Sequence, residues 1–314
     1  MLKIILFVFS LTACSAADWS TLYDSSKLEA EKPRLQKAIT VLIDKEITPF
    51  LPPQAVLSFG LQEVDLPLNG FSSNPLDFYA QNRHIVLPVR SLLFLEDLSR
   101  AYGWMWANRY TTKTADEYLS MLRYRSAADF AGAHYPPPLE ALHVPANALS
   151  DPKVVEASVR LRRTAYAFIL LHQFSHLQLH QQPGGDGSYS EAAEEESDRF
   201  ALDIMKDNSV TPTGVLLVMH SLLFFEAGEA GALHPVTPQR LNVMARYFDS
   251  RVMEFIRGRP DKTTAMGGIH SIALLLGEGA EWLGVRSHQE EIRQLAVKTD
   301  SSTLQPRALP KTTK

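Results

Sequence analysis

A second cysteine is missing. Cys14 is the only thiol among 314 residues, so no intramolecular disulfide can form, and its place near the start of the chain fits processing better than redox or metal chemistry. An excess of positive charge is missing too. The chain carries 31 Lys and Arg against 35 Asp and Glu, a formal charge of -4, or about -5 if Lys3 leaves with a leader. That gives no electrostatic case for binding nucleic acid. After the first residues no run is long and apolar enough to span a bilayer, and there is neither an internal repeat nor a low-complexity tract of note. What is there is an ordinary composition on a chain long enough to bury a sizeable core, as one large domain or two small ones.

Residues 1–13 read as a targeting segment, with one early charge at Lys3, an apolar run over 4–9, and then Leu11-Thr12-Ala13-Cys14. That tetrapeptide resembles the bacterial lipobox, whose cysteine is lipidated and becomes the mature N-terminus. The resemblance implies a lipid anchor on Cys14 and a place in the cell envelope. Ser15 after it, rather than an aspartate, favours the outer membrane, facing the periplasm. Ser15-Ala16-Ala17 also offers an ordinary secretory cleavage site after Ala17, which would release a secreted or soluble periplasmic protein.

The remainder reads as a mainly α, α+β domain. An amphipathic helix is expected over 26–47, carrying Leu28, Leu35, Ile39 and Leu42, and is closed by Pro49 and Pro52-Pro53. Residues 14–54 thus form an N-terminal helix and linker. A strand is expected over 55–64 from Val56, Leu57, Phe59 and Leu61, and a second over 84–87, ended by Pro88. Residues 89–108 read as a buried helix and 115–125 as another, with Tyr135-Pro136-Pro137-Pro138 a loop. Ser150-Asp151-Pro152 is a helix start, and one long helix should run from there to 182, stopped by Pro183-Gly184-Gly185. Further helices are expected over 190–205, 215–226, from Thr237-Pro238 onward, over 269–283 and over 289–297. Residues 301–314 read as a frayed, disordered tail.

The last third of the long helix carries the chemistry. His172 and His176 are four residues apart in an apolar stretch, so both imidazoles leave one face about a turn apart and can share one metal ion. His180 sits about 12 Å further along the axis than His172, too far to converge on the same ion. A third ligand is therefore needed from elsewhere. The helix that returns after the glycine loop offers Glu191-Ala192-Ala193-Glu194-Glu195-Glu196-Ser197-Asp198. Glu194 could reach the metal and Asp198, one turn on, could accept a ring N–H of a ligand histidine. The same acids would also complement the dipole of a helix N-terminus.

These residues resemble the gluzincin metallopeptidases, whose signature is HExxH followed on the next helix by E-x-x-x-D with a phenylalanine and an alanine just after. Glu194 to Ala201 matches that second motif position by position. The resemblance implies a zincin-like peptidase domain over 55–300, with a small β-sheet packed on the active-site helix, and a zinc held by His172, His176 and Glu194 with Asp198 behind a ligand histidine. His234-Pro235-Val236-Thr237-Pro238-Gln239-Arg240 is similar to the His-Pro…Arg segment of the branch related to the heat-shock protease HtpX and the CAAX prenyl protease. It implies His234 as oxyanion stabiliser and Arg240 as its neighbour in the cleft.

One position departs from the pattern. Where HExxH has its glutamate stands Gln173, and an amide cannot take the proton that the general base removes from water. Three readings follow: a zinc-binding, peptidase-like lipoprotein with proteolysis attenuated or lost, its cleft kept for a protein or peptide; an active zinc metallopeptidase using another base such as Glu195 or Glu196; or a structural envelope lipoprotein without metal.

Overall fold

A computed structural model of the chain describes residues 19–60, 62–70, 74–179, 189–228, 232–300 and 304–309. The leader, Cys14, His180 and the glycine loop at 183–187 lie outside the described residues. The architecture is mainly helical with one small sheet. Its helices are α1 (Ser25–Leu42), α2 (Pro53–Phe59), α3 (Val89–Ala107), α4 (Lys113–Tyr124), α5 (Pro138–Ala141), α6 (Pro152–Gln178), α7 (Glu191–Asp207), α8 (Thr213–Phe225), α9 (Pro238–Ser250), α10 (Val252–Phe255), α11 (Lys262–Gly284) and α12 (His288–Lys298).

The long helix α6 is the axis of the molecule. Asp151 caps it by accepting a hydrogen bond from Lys153 N at 2.8 Å, with Pro152 at the first turn. Its 27 residues make a rod about 40 Å long, and its histidine end is buried from Phe168 to His176. α3, α7, α8 and the sheet pack around it. Two glycines set how closely. A side chain at Gly103 of α3 would place its Cβ 2.3 Å from Ser158 Oγ, and one at Gly214 of α8 would place it 2.1 Å from Ala165 N. Both helices therefore lie against the backbone of α6. Two turns before Gly103 on α3, a buried Glu96 is ion-paired with Arg34, Arg100 and Arg162, which ties α1, α3 and α6 together through one carboxylate.

The sheet has three strands in the order β1-β3-β2: β1 (Glu63–Asp65), β2 (Tyr79–Gln81) and β3 (His84–Val86). β1 runs parallel to β3, and β2 antiparallel to it through a two-residue turn in which Asn82 and Arg83 both have positive φ, 49° and 72°. β2 and β3 lie against α6.

The strand expected over 55–64 is corrected to a helix followed by a shorter strand. Pro53 opens α2, and Ala55 and Phe59, four apart, are buried on it, as a helical face requires. Strand pairing begins at Glu63. Phe59 ends edge-on to Phe174 of α6, with ring centroids 4.8 Å apart. Pro138, expected in a loop, opens the single turn of α5. The tail is corrected as well for residues 304–309: Leu304 is buried, Thr111 N donates to Arg307 O and Leu309 N to Arg109 O, and Arg307 pairs with Glu117 at 2.7 Å. Among the described residues no helix is long and apolar enough to cross a membrane.

Candidate metal centre

α6 and α7 build the centre between them. His172 and His176 share one face of α6 and are buried, at 4% and 0% exposure. α7 begins at Ser190, whose side chain accepts from Ala193 N. That start places Glu194, Ser197 and Asp198, at i, i+3 and i+4, on the face turned to α6, where all three are buried. The rest of the acidic turn is spent on solvent. Glu191 and Glu196 are exposed and Glu195 is half-buried, so neither Glu195 nor Glu196 joins the buried cluster as a substitute base.

Three donor groups converge. His172 Nε2 and His176 Nε2 lie 3.1 Å apart. Glu194 brings Oε2 to 3.4 Å from the first and Oε1 to 3.3 Å from the second. Ligand atoms about 2.0–2.1 Å from a tetrahedral ion stand about 3.4 Å from one another, so the donors already have the spacing that such an ion requires. The other face of each imidazole supports the same reading. His172 Nδ1 is 2.9 Å from Asp198 Oδ1, and His176 Nδ1 is 3.2 Å from Ser197 Oγ. With protons on the two Nδ1 atoms, both Nε2 lone pairs point at one spot, an arrangement that a cation stabilises.

Charge follows the geometry. Burial pulls His172 down, but the Glu194 carboxylate and the Asp198 contact more than offset it and hold its pKa up to about 9. Burial takes His176 down to about 4, with the His172 charge adding to it. Against its own burial, Glu194 is held well below the usual carboxylate range by Arg240, His234 and His172. The Asp198 carboxyl is also lowered, burial being outweighed chiefly by Arg240.

Arg240 stands beside His234, lining with it a small cavity next to Gln173, and behind the metal-centre carboxylates. Thr237 caps α9 and accepts from Arg240 N, and this turns the side chain inward, where it is 1% exposed. Its guanidinium grips Asp198 with two bonds, Nε at 2.7 Å and Nη2 at 2.9 Å, and reaches Glu194 Oε2 with Nη1 at 2.5 Å. One cation thus balances two buried carboxylates on α7.

His234 enters from the segment before α9. Nδ1 is 2.9 Å from Glu194 Oε1, and Nε2 is 2.7 Å from Phe78 O and 3.0 Å from Gln173 Nε2. With His172, His176 and Glu194 it forms a buried group whose donor atoms all lie within 4.8 Å of one another. Gln173 is 2% exposed; its amide nitrogen is 3.4 Å from Phe78 O, and Oε1 has no hydrogen-bond partner among the described residues. A cavity of about 20 Å³ beside it, lined by Phe78, Phe168, His172, Gln173, Met219 and His234, has room for about one water molecule.

Four participants were not foreseen. Tyr189 stacks on the His176 ring at 3.7 Å and 10°, and donates its hydroxyl to Ala80 O at 2.8 Å. Ser197 sets the second histidine. Glu226, at the end of α8, accepts from His234 N at 2.8 Å and from the Asn74 amide, holding the His234 segment; burial raises its pKa. Phe78 supplies the carbonyl that both Gln173 and His234 face. Ser197 carried a signal, since it lies three residues after Glu194 on the same helical face. Tyr189 directly precedes the cap of α7, whereas Glu226 and Phe78 are brought in from distant segments and carried no signal.

A family model described as Peptidase U49 matches residues 114–258, just under half of the chain. The matched span contains Gln173, all four members of the buried group, Asp198 and Arg240. No curated protein and no solved structure matches the chain. The family match and the buried His/Glu group support a peptidase-like protein with a site able to hold a metal ion.

Proposed function

We propose that the chain is a gluzincin-type, zinc-binding, peptidase-like protein whose proteolysis is attenuated by Gln173, and that it acts by holding a protein or peptide. His172, His176 and Glu194 would be the ligands, with Asp198 and Ser197 fixing the two imidazoles. The α6–α7 pair under the small sheet supports reading the domain as zincin-like. A bound zinc would supply Lewis acidity to a carbonyl and lower the pKa of a water. The chain's own contribution is deficient at one point. The side chain that ought to take and return a proton is an amide, enclosed between His234 and the Phe78 carbonyl, and loss of such help typically costs about a hundred- to ten-thousandfold in rate. This enclosed amide is the observation on which the attenuated reading rests.

A second reading differs only at His234. Its place within the four-residue group suits a fourth ligand, as in closed structural zinc sites, instead of an oxyanion donor. In the envelope, the protein would be lipid-anchored through Cys14 at the outer membrane, and Cys14→Ala should move it to the soluble fraction.

Elemental analysis of protein made without a chelating tag should give one zinc per chain, and Glu194→Ala should lose it. Less than about half an equivalent in the unaltered chain would rule out the metal reading. In a peptide-cleavage assay Gln173→Glu should gain about a hundredfold or more. A wild type that already cleaves, with no gain in that variant, would refute attenuation.

A further inference from the structure

A much larger cavity lies away from the metal centre. It measures about 520 Å³ and is bounded by α3, α4, α6, α8, α9, α11 and α12. That is within the roughly 300–1,000 Å³ typical of small-molecule sites, and some 25 times the space beside Gln173. Its walls are aliphatic, with Leu161, Leu217, Leu241 and Leu276 at depth and Trp106 and Leu275 exposed at its edge. An apolar hollow of this size gains from an apolar occupant.

The polar groups in it have one sign. Asp116, Glu278 and Glu291 line the cavity, and no lysine or arginine among the described residues does. Asp116 is part of a relay: Tyr102 OH lies 2.8 Å from His220 Nδ1, and His220 Nε2 lies 3.0 Å from Asp116 Oδ1. Tyr102 is buried, and burial keeps its phenol protonated. Among the described residues Asp116 has no lysine or arginine partner. Glu278 is exposed and has no ion-pair partner among the described residues. A cationic head would be attracted there and an anionic one repelled.

We propose that this cavity binds a single-chain aliphatic amine, its tail among the leucines of α6, α8 and α11 and its ammonium head on Asp116. The inference is independent of the zinc reading, since none of the candidate ligands or the groups that hold them lines the cavity, although Met219 borders both hollows.

The test uses the full chain with three twelve-carbon probes, dodecylamine, dodecanoate and dodecanol, each below its micellar concentration. Binding is followed by titration calorimetry and by the fluorescence of Trp106 and Trp282, which both line the cavity. Dodecylamine should bind one to one, about tenfold or more tighter than dodecanoate. Asp116→Asn should weaken the amine about five- to tenfold and leave dodecanol unchanged. A Cβ on Gly279 would meet Leu223 and Leu241 at 3.2 and 3.4 Å, so Gly279→Leu should fill the space and abolish binding of all three probes. Should that variant not fold, Leu275→Lys on the exposed edge provides the check by reversing the preference toward dodecanoate. No saturable binding of the amine, equal affinity for amine and acid, an unchanged amine affinity in Asp116→Asn, or a folded Gly279→Leu or Leu275→Lys that behaves as wild type would each overturn the proposal.

Discussion

Zinc should enter the centre by displacing a proton, and the count is set by His172. At neutral pH the metal-free site holds His172 as imidazolium, because its pKa is raised to about 9, whereas His176, lowered to about 4, is neutral and Glu194 is ionised. Coordination requires a neutral imidazole, so about one proton should be released per zinc at pH 7. The sign is definite: a raised pKa means that protons compete with the metal below it, so affinity climbs with pH and levels off above about 9. From pH 7 to pH 9 the apparent affinity should rise about fifty-fold, where a histidine with the ordinary value of about 6.5 would give less than a factor of about 1.5. The measurement is calorimetry in two buffers of different ionisation enthalpy, with a competing chelator whose own pH dependence is known. Zero proton release at pH 7, or an affinity flat from 7 to 9, would refute the charge assignment at His172.

Arg240→Met should destabilise the metal-free protein by about 3–5 kcal/mol in urea unfolding, because Asp198 and Glu194 are left buried without their cation. Part of that loss should return when zinc is added, since zinc would balance Glu194. Ser197→Ala and Asp198→Asn should each weaken zinc about ten- to a hundredfold by competition titration, by freeing a ligand imidazole to turn. Gly214→Ala should lower stability by about 1–3 kcal/mol through overpacking against α6, visible as a lower melting temperature.

How far the fold and the centre could be read from the residues depended on whether the information was local. The start of α6 at Asp151-Pro152 and the i, i+4 relation of the histidines are properties of a few consecutive side chains, and helix geometry turns them into positions. The pairing of α6 with α7 was also within reach, because a loop of suitable length joins two elements whose buried faces carry complementary groups. Residues 55–64 went wrong for a physical reason. A short apolar run satisfies both periods, and Pro53 at a helix N-terminus outweighed the β-rich composition. Arg240 could be read as a neighbour of His234, but only the packing of α9 on α7 shows which carboxylates it neutralises. Glu226 and Phe78 could not be found at all, because their partners are close in space and far in sequence, and Tyr189, beside the α7 cap, carried no mark of its stacking on His176.

The guanidinium behind the ligands bears on the protein's history as well as its site. A carboxylate that relied on the metal alone would be stranded whenever the metal left, and the fold would have to wait for it. Here Glu194 keeps a partner in Arg240 whether or not an ion is present, and the proton on His172 stands in for the missing charge. Loss of any ion bound there would therefore leave Glu194 paired with Arg240 and not stranded.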